Sequence, residues 1–181
     1  MQGTRLDGRR RIAFDLIYLF VFISLLILDQ FSKIAVANKM VVGESICVLP
    51  NFFDIRYVRN SGAAWSFLAD VSWGQTFFKV LTIIALIAFT CYYVFVCKKG
   101  YKFLRVGVLF IIAGTIGNFI DRVAYGEVID FLAFTLLNGY KFPVFNMADT
   151  FLTVGIIMAI IHYLFLDKDK IIPIKNEKQK V

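Results

Sequence analysis

The sequence predicts an all-α membrane protein with four transmembrane helices and a small β element outside the bilayer. Hydrophobic residues make up 59% of the 181 residues and charged residues only 18%, below the roughly 25% that is usual in soluble domains. The mean hydropathy is +0.72, and 20 residues are phenylalanine. These apolar residues concentrate in four separate segments, which a bilayer would solvate directly.

Each segment approaches the roughly 20 apolar residues with which a helix crosses about 30 Å of hydrocarbon. A soluble core could bury one such helix, but four in one short chain favour the bilayer. The predicted helices cover about residues 12–37, 76–97, 103–121 and 148–166. They leave outer loops at about 38–75 and 122–147 and a tail at 167–181, within a single membrane domain that spans residues 1–181.

The positive charges orient these helices, because cytoplasmic loops of membrane proteins are enriched in Lys and Arg. Thirteen of the 20 basic residues lie in residues 1–11, the linker 98–105 and the tail 167–181. Both termini and the linker are therefore expected in the cytoplasm, and the loops 38–75 and 122–147 outside. The net charge of +7 then reflects topology and requires no nucleic-acid partner. The tail would contact membrane lipids or water.

A secretory signal peptide is the competing interpretation of the N-terminus. Basic residues and an apolar run precede Ala35-Val36-Ala37, which resembles a cleavage site with small residues. Polar residues interrupt the approach to that site, among them Asp29 and Lys33, and they disfavour cleavage. Cleavage would not change the expected orientation of the later helices.

The first outer loop has the pattern of a small β element. Residues 41–59 alternate in part between apolar and polar side chains, around Pro50-Asn51. This pattern predicts a strand pair or half-barrel at the membrane surface. The second outer loop is shorter and dense in polar groups beside apolar ones.

The most informative polar residues lie at the outer ends of the predicted helices or in the outer loops. An ionisable side chain at membrane depth costs roughly 2.5–3.5 kcal/mol on insertion scales, so several at one depth suggest a function. They fall into five groups: Asp29 with Lys33, residues 59–66, Gly117 with Asn118, Asp121 and Arg122, residues 128–131, and residues 145–149.

Some of these residues also have a purely structural interpretation. Asp29 and Lys33 have the i, i+4 spacing of an ion pair on one helix. Asn118 and Arg122 could be capping and headgroup contacts at the end of a helix. The sequence leaves these interpretations open beside a functional one.

Two aspartates in or after the second outer loop are the candidates for chemistry. Asn146 and Asp149 have the spacing of an N-cap with an acid in the first helical turn, which would explain Asp149 structurally. Asp130 stands between Ile129 and Phe131, and a lone acid in an apolar stretch needs a partner, a cation or a proton. A second carboxylate beside it would meet that need.

Two adjacent carboxylates would form a catalyst. Like charges a few ångströms apart cannot both ionise cheaply, so the pair shares a proton. The ionised member can take a proton from water while the protonated member donates one to a carbonyl or a leaving amine. This aspartic chemistry needs no metal and no cofactor. Serine, cysteine and metal mechanisms lack a base or ligands, because the single histidine, His162, lies at the cytoplasmic end of its helix.

The ordered motifs resemble those of the lipoprotein signal peptidases (signal peptidase II). The resemblance spans about residues 25–150 and rests on Asp29-Gln30-x-x-Lys33, Asn60-Ser61-Gly62-Ala63-Ala64-Trp65-Ser66, Gly117-Asn118-x-x-Asp121-Arg122, Val128-x-Asp130-Phe131 and Phe145-Asn146-x-Ala148-Asp149. Trp65 stands where many members have Phe. The resemblance implies an aspartic endopeptidase of the bacterial cytoplasmic (inner) membrane, with its active site at the outer face. It would cut prolipoproteins on the N-terminal side of a cysteine that already carries diacylglycerol.

The resemblance also implies roles for single residues. Asp130 and Asp149 would be the catalytic pair, whereas Asp121 would not be catalytic. Residues that shape the site or hold substrate would be Asp29, Lys33, Asn60, Gly62, Asn118, Arg122 and Asn146. Residues 41–66 would form the family's outer β-cradle, with a partly helical segment in 121–149 over the site. The family further implies inhibition by globomycin-type compounds, and we expect a monomer.

Three other functions compete with this one. A small transporter could relay protons through Asp130 and Asp149, but its polar residues would follow a path across the bilayer, whereas here they cluster at one end. A non-catalytic assembly subunit would keep its function after Asp130→Asn. A presenilin-like intramembrane protease would need a Gly-x-Gly-Asp motif, which the sequence lacks.

Overall fold

The computed structural model of the protein describes residues 2–62 and 73–166; Trp65, with the rest of 63–66, and the tail lie outside this part. In chain order the elements are helix α1 (Gln2–Lys39), strands β1 (Ser45–Leu49) and β2 (Phe53–Asn60), helices α2 (Gly74–Lys99) and α3 (Lys102–Ala124), strand β3 (Val128–Phe134), a 3-10 turn (Leu137–Gly139), and helix α4 (Met147–Ile161) with a π-helical continuation (His162–Leu166).

All four long helices can cross a membrane. Their apolar spans run over Asp15–Lys39, Thr76–Lys99, Lys102–Ala124 and Met147–Leu166. Large apolar side chains project outwards from them, such as Phe20, which is 72% exposed, and Phe31, which is 70% exposed. Apolar surface on this scale suits lipid and not water. The predicted fold class is therefore confirmed, and the chain is a multi-pass membrane protein.

A very short linker joins α2 to α3. The α2 helix is capped by Gly100, whose φ of 75° is left-handed and whose N–H donates to the carbonyls of Val96 and Cys97, a geometry that favours glycine. The α3 helix begins at Lys102, after Tyr101. The end of α2 and the start of α3 consequently lie at the same end of the bundle.

Glycines bring α3 and α4 into backbone contact. A Cβ atom on Gly114 would clash with the Ala148 carbonyl, and one on Gly155 would clash with the Gly107 carbonyl. Small residues let membrane helices pack closely where lipid provides no hydrophobic force between them. The approach of Gly114 to Ala148 sets the last turns of α3 against the first turn of α4.

The β element is a three-stranded antiparallel sheet in the order β1-β2-β3. β1 and β2 form the strand pair that the 41–59 pattern predicts. β3 is an addition, because it comes from the connection between α3 and α4, where the resemblance implies a partly helical segment. The helical part of that loop is the three-residue 3-10 turn.

β3 connects the sheet to the helices. Its Ile129 and Phe131 pack in one buried cluster with Met40, just after α1, and Tyr57 of β2. Successive side chains of a strand point to opposite faces, so Asp130, between them, faces the other way. The apolar neighbours of Asp130 thus anchor the strand in this cluster, and the Asp130 carboxylate lies on the opposite, polar face of the strand.

Candidate active site

Asp130 lies within β3 and is 2% exposed. The strand register places it opposite Val58, two residues before Asn60. Asn60 Nδ2 donates to Asp130 Oδ2 at 2.9 Å, and Asn146 Nδ2 donates to Asp130 Oδ1 at 2.7 Å. Both oxygens of a carboxylate in an apolar strand are thereby hydrogen-bonded, as buried polar groups generally are.

Asp149 lies in the first turn of α4, where it is part of a helix cap. Asn146 is the N-cap residue, and its Oδ1 accepts from the Asp149 N–H at 2.9 Å. In return, Asp149 Oδ2 accepts from the Asn146 N–H at 3.2 Å, which completes a capping box. The second oxygen, Asp149 Oδ1, accepts from Asn118 Nδ2 at 2.7 Å. The structural interpretation of Asp149 is therefore right, and it leaves one oxygen directed at α3.

Asn146 connects the two aspartates. It is fully buried, and it donates from Nδ2 to Asp130 and from its backbone N–H to Asp149. Because its Oδ1 already accepts from the Asp149 N–H, the amide cannot rotate without losing the cap. One residue therefore holds both carboxylates in the same site.

A buried ion network lies beside the two aspartates. Lys33 is 1% exposed, and its ammonium nitrogen lies 3.0 Å from Asp29 Oδ2 and 3.0 Å from Asp121 Oδ2. The i, i+4 pair of Asp29 and Lys33 is therefore present, but α3 contributes a second carboxylate to the same ammonium. The network ties α1 to α3 at the depth of the site.

Asn118 links this network to Asp149. Its Oδ1 accepts from Lys33 Nζ at 3.0 Å and from Asn146 Nδ2 at 3.0 Å. Only an oxygen can accept these two donors, so the amide nitrogen of Asn118 faces Asp149. The orientation of this donor to Asp149 thus depends on Lys33.

Asp29 joins α1 to the start of α4. Its Oδ1 accepts from the Ala148 N–H at 2.9 Å, which satisfies one of the free donors in the first turn of that helix. A Cβ atom on Gly117 would clash with the same carboxylate. Glycine is therefore required where α3 passes Asp29.

Two further residues support the site although the sequence assigns neither of them a role in it. Gln30 Nε2 donates to the Gly117 carbonyl at 3.1 Å and to Asp121 Oδ1 at 3.3 Å. Asp121 Oδ2 accepts from the Ile129 N–H at 3.1 Å, directly beside Asp130. Both residues belong to the polar motifs at membrane depth, and this is the sequence signal that could have identified them.

Arg122 of α3 contacts Gly62, which is the last residue of the first described part of the chain. Arg122 Nη2 donates to the Gly62 carbonyl at 3.3 Å, and the guanidinium lies 5.4 Å from the centre of the Phe78 ring. The buried Arg122 Nε has no hydrogen-bond partner among the described residues. The Gly62 N–H donates to Asn60 Oδ1 at 3.0 Å, which turns the Asn60 nitrogen towards Asp130.

The environment of Asp130 suits acid–base chemistry. Burial, and then the charge of Asp149, raise the pKa of Asp130 to about 7, against the opposing effects of the hydrogen bonds from Asn60 and Asn146 and the charge of Lys33. A carboxyl group that is half-protonated near neutral pH, beside a second carboxylate, can act as one half of an acid–base pair.

The single histidine lies far from the two aspartates. His162 directly follows α4, whereas Asp149 lies in its first turn, a separation of roughly 20 Å along the helix axis. The ring of His162 is buried and packs on the Tyr101 ring at 4.7 Å. In the described parts of the chain, no three His, Cys, Asp or Glu side chains converge to hold a metal ion.

Comparison with known proteins relates this site to a family. The model of the family described as signal peptidase (SPase) II matches residues 21–165. The lipoprotein signal peptidase of Staphylococcus haemolyticus (strain JCSC1435) is 43% identical over 148 residues, 82% of this chain and 90% of the relative. That of Staphylococcus aureus (strain MRSA252) is 44% identical over 163 residues, 90% and 92% of the two chains.

Two solved structures, each titled as a bacterial membrane enzyme, have the same fold. The first is 38% identical with a TM-score of 0.73, and it covers 89% of this chain and 94% of its own. The second is 41% identical with a TM-score of 0.71, over 82% and 93%. The family model's match, over residues 21–165, includes Asp29, Lys33 and both candidate aspartates. The chain belongs to the signal peptidase II family, a family of aspartic peptidases.

Proposed function

We propose that this chain is an aspartic endopeptidase that removes signal peptides from prolipoproteins. It cuts on the N-terminal side of a cysteine that carries diacylglycerol. The observation that carries the proposal is that Asn146 contacts both Asp130 and Asp149. Membership of the signal peptidase II family and the names of the relatives support the same function.

Asp130 and Asp149 form the catalytic pair and share one proton. Asp130, whose pKa is raised to about 7, holds the proton, and Asp149 is the base. Asp149 takes a proton from a water molecule, whose oxygen adds to the scissile carbonyl carbon, while Asp130 donates its proton to the carbonyl oxygen. When the C–N bond breaks, the proton on Asp149 passes to the leaving amine, and one hydroxyl of the tetrahedral intermediate returns its proton to Asp130, which leaves the carboxylic acid as product.

Asn60, Gly62 and Arg122 hold the substrate beside this pair. The buried Arg122 Nε, which lacks an acceptor among the described residues, donates to a substrate carbonyl or to a lipid headgroup. Asn60 donates to Asp130 and receives the Gly62 N–H, so substrate contact with this segment is transmitted to the catalytic carboxylate. Asp29, Lys33, Asn118 and Asn146 position the pair.

The enzyme works in the bacterial cytoplasmic membrane, with both termini in the cytoplasm and the catalytic pair at the outer face. The basic linker 98–105 supports this orientation, because it lies at the opposite end of α3 from Asn118 and Asp121. The whole chain, 1–181, forms one membrane domain and acts as a monomer. The substrate enters laterally from lipid, and globomycin-type compounds block the same site.

The test is cleavage of a diacylglyceryl-modified prolipoprotein by the purified protein in detergent. Asp130→Asn and Asp149→Asn are each expected to lower the rate by about 10³-fold or more, with the helical content unchanged. Asp15→Asn, at the other end of the bundle, is the matched control and should retain full activity. The same substrate without its diacylglyceryl group should stay intact. Cleavage by either aspartate variant at the wild-type rate would refute the assigned pair.

A further inference from the structure

A charged cavity lies at the opposite end of the bundle from the two aspartates. Its volume is about 660 Å³, and its walls come from the start of the first membrane span, the end of α2 and the start of α3. Lys102 at the start of α3 and Asp121 near its end are roughly 30 Å apart at the helical rise per residue. The cavity is therefore separate from the proposed catalytic site.

The cavity walls carry an excess of positive charge. Among the described side chains, Lys98, Lys102 and Arg105 line it together with one acid, Asp15. Arg105 Nη2 donates to Asp15 Oδ1 at 2.7 Å, and the Asp15 side chain is 62% exposed. One carboxylate at the rim thus faces three cations, so the lining favours an anion.

Arg105 is held in a defined orientation at this cavity. Its Nε donates to the Tyr93 hydroxyl at 2.8 Å, and its guanidinium carbon lies 3.9 Å from the centre of the Tyr18 ring, which also lines the cavity. A guanidinium has five N–H donors in a planar fork that matches phosphate oxygens. Because α1 and α2 already hold this fork, little side-chain entropy is lost when an anion binds.

The cavity lies at the level where the membrane spans end. The second span ends at Lys99 and the third begins at Lys102. Exposed apolar residues such as Val94 and Phe95 continue down α2 from Lys98 into the span. A ligand with an anionic head and an apolar tail fits this division, since the head meets the cations while the tail stays in lipid.

We propose that this cavity binds the headgroup phosphate of an anionic phospholipid. Arg105 orients the phosphate, and Lys98 and Lys102 contact its oxygens from α2 and α3. Phosphatidylcholine carries the same phosphate together with a choline cation, which the cationic walls disfavour. A free phosphate ion has the charge but no acyl chain to hold it at this depth. This lipid site is separate from the proposed catalytic site, and lipid binding there does not depend on peptide hydrolysis.

The experiment measures short-chain lipid binding to the purified full-length protein by native mass spectrometry. Dioctanoyl phosphatidylglycerol should bind in one equivalent, and dioctanoyl phosphatidylcholine much more weakly. The double variant Lys98→Gln/Lys102→Gln should weaken phosphatidylglycerol binding roughly 25-fold, since each basic residue at a membrane surface contributes about fivefold. Asp15→Asn, which removes the competing carboxylate, should tighten it about fivefold.

The matched control is Lys39→Gln/Lys79→Gln, which removes the same two charges from the other end of the bundle. It should leave the affinity unchanged. An equal loss in this control would show attraction by net charge alone and would overturn the site. Equal affinity for the two lipids would also overturn the site, and so would weaker phosphatidylglycerol binding by Asp15→Asn. Displacement of the lipid by inorganic phosphate at similar concentration would replace the lipid assignment with a free anion.

Discussion

The ammonium nitrogen of Lys33 lies 3.0 Å from Oδ1 of Asn118, so a charge on α1 determines how an amide on α3 is turned. The Asn118 nitrogen then donates to Asp149 at 2.7 Å. A rotated amide would direct its oxygen at the Asp149 carboxylate and its nitrogen at the Lys33 ammonium and the Asn146 Nδ2 donor. All of these contacts are repulsive, so the buried charge network and the proposed catalytic pair are coupled.

Replacement of Lys33 by Met tests the network. It would leave the Asp29 and Asp121 carboxylates buried without a counter-charge, and we expect a loss of about 3–5 kcal/mol in the free energy of unfolding. The measurement is thermal unfolding in detergent. The control is Asp15→Asn, which breaks the partly exposed pair with Arg105 and should cost less than about 1 kcal/mol.

The double variant Lys33→Met/Asp121→Asn separates charge from packing. Its melting temperature should lie above that of Lys33→Met, because one uncompensated carboxylate is gone while the amide oxygen that replaces it can still accept from the Ile129 N–H. A melting temperature for Lys33→Met equal to that of Asp15→Asn would contradict the network.

Replacement of Asn146 by Ser separates the helix cap from the proposed chemistry. Serine is also a good N-cap residue, so the cap itself should lose less than about 1 kcal/mol and Asn146→Ser should be more stable than Asn146→Ala. It lacks the Nδ2 donor to Asp130 and Asn118, and we expect prolipoprotein cleavage to fall about 100-fold. Asn146→Ala should lose both activity and stability. Full activity in the serine variant would show that the cap alone is needed.

Replacement of Gly114 by Ala tests the helix contact beneath the site. The new Cβ would meet the Ala148 carbonyl, push α3 from α4 and lengthen the hydrogen bond between Asn118 and Asp149. Cleavage should fall at least tenfold, because small displacements of catalytic groups are costly. Gly126→Ala is the control: its φ of 78° costs about 1–2 kcal/mol, but no atom opposes the new Cβ, so activity should persist.

The pH dependence of cleavage follows from Asp130. The pair must hold one proton, and the pKa of Asp130 is about 7. The value of kcat/KM should therefore decline as the pH rises above about 7, approaching tenfold per pH unit. The check is to measure initial rates of cleavage from about pH 6 to 9. The control is Asp15→Asn, which removes one carboxylate as Asp130→Asn does. A rate that is flat from about pH 6 to 9 would exclude Asp130 as the proton donor.

The same carboxyl group makes stability depend on pH. Between about pH 4, the unfolded pKa of an aspartate, and about 7, the folded protein retains a proton that the unfolded chain has released. Stability should consequently be greatest in the acidic part of this window and decrease as the pH rises through it. Asp130→Asn should abolish that decrease in thermal unfolding experiments; an unchanged slope would place its origin elsewhere.

The sequence predicts the helices well because apolar length is a local property. It also makes Asp130 a candidate site residue, since an acid between Ile129 and Phe131 has few structural explanations. The strand that carries Asp130 is less predictable. β3 pairs with β2 across a long stretch of chain, with Val58 opposite Asp130, and seven residues in a polar loop do not specify such a distant register.

The contacts within the site are also beyond sequence patterns. The spacing of Asp29 and Lys33 predicts an ion pair, but it contains no information that Asp121 shares the ammonium or that Asn118 accepts from it. Gln30 and Asp121 can be recognised as polar residues at membrane depth, yet their partners depend on how closely Gly117 lets α3 approach α1. Such close approaches are a property of the assembled helices.

The capping box at the start of α4 has a consequence for biogenesis. Asn146 and Asp149 open the fourth long helix of the described residues, whereas Asp130 and its partner Asn60 are translated before it. A nascent chain with three helices in the membrane therefore has only half of the carboxylate pair and none of the amide that joins its two members. In the proposed mechanism, proteolytic activity therefore arises only once the fourth helix has joined the first three.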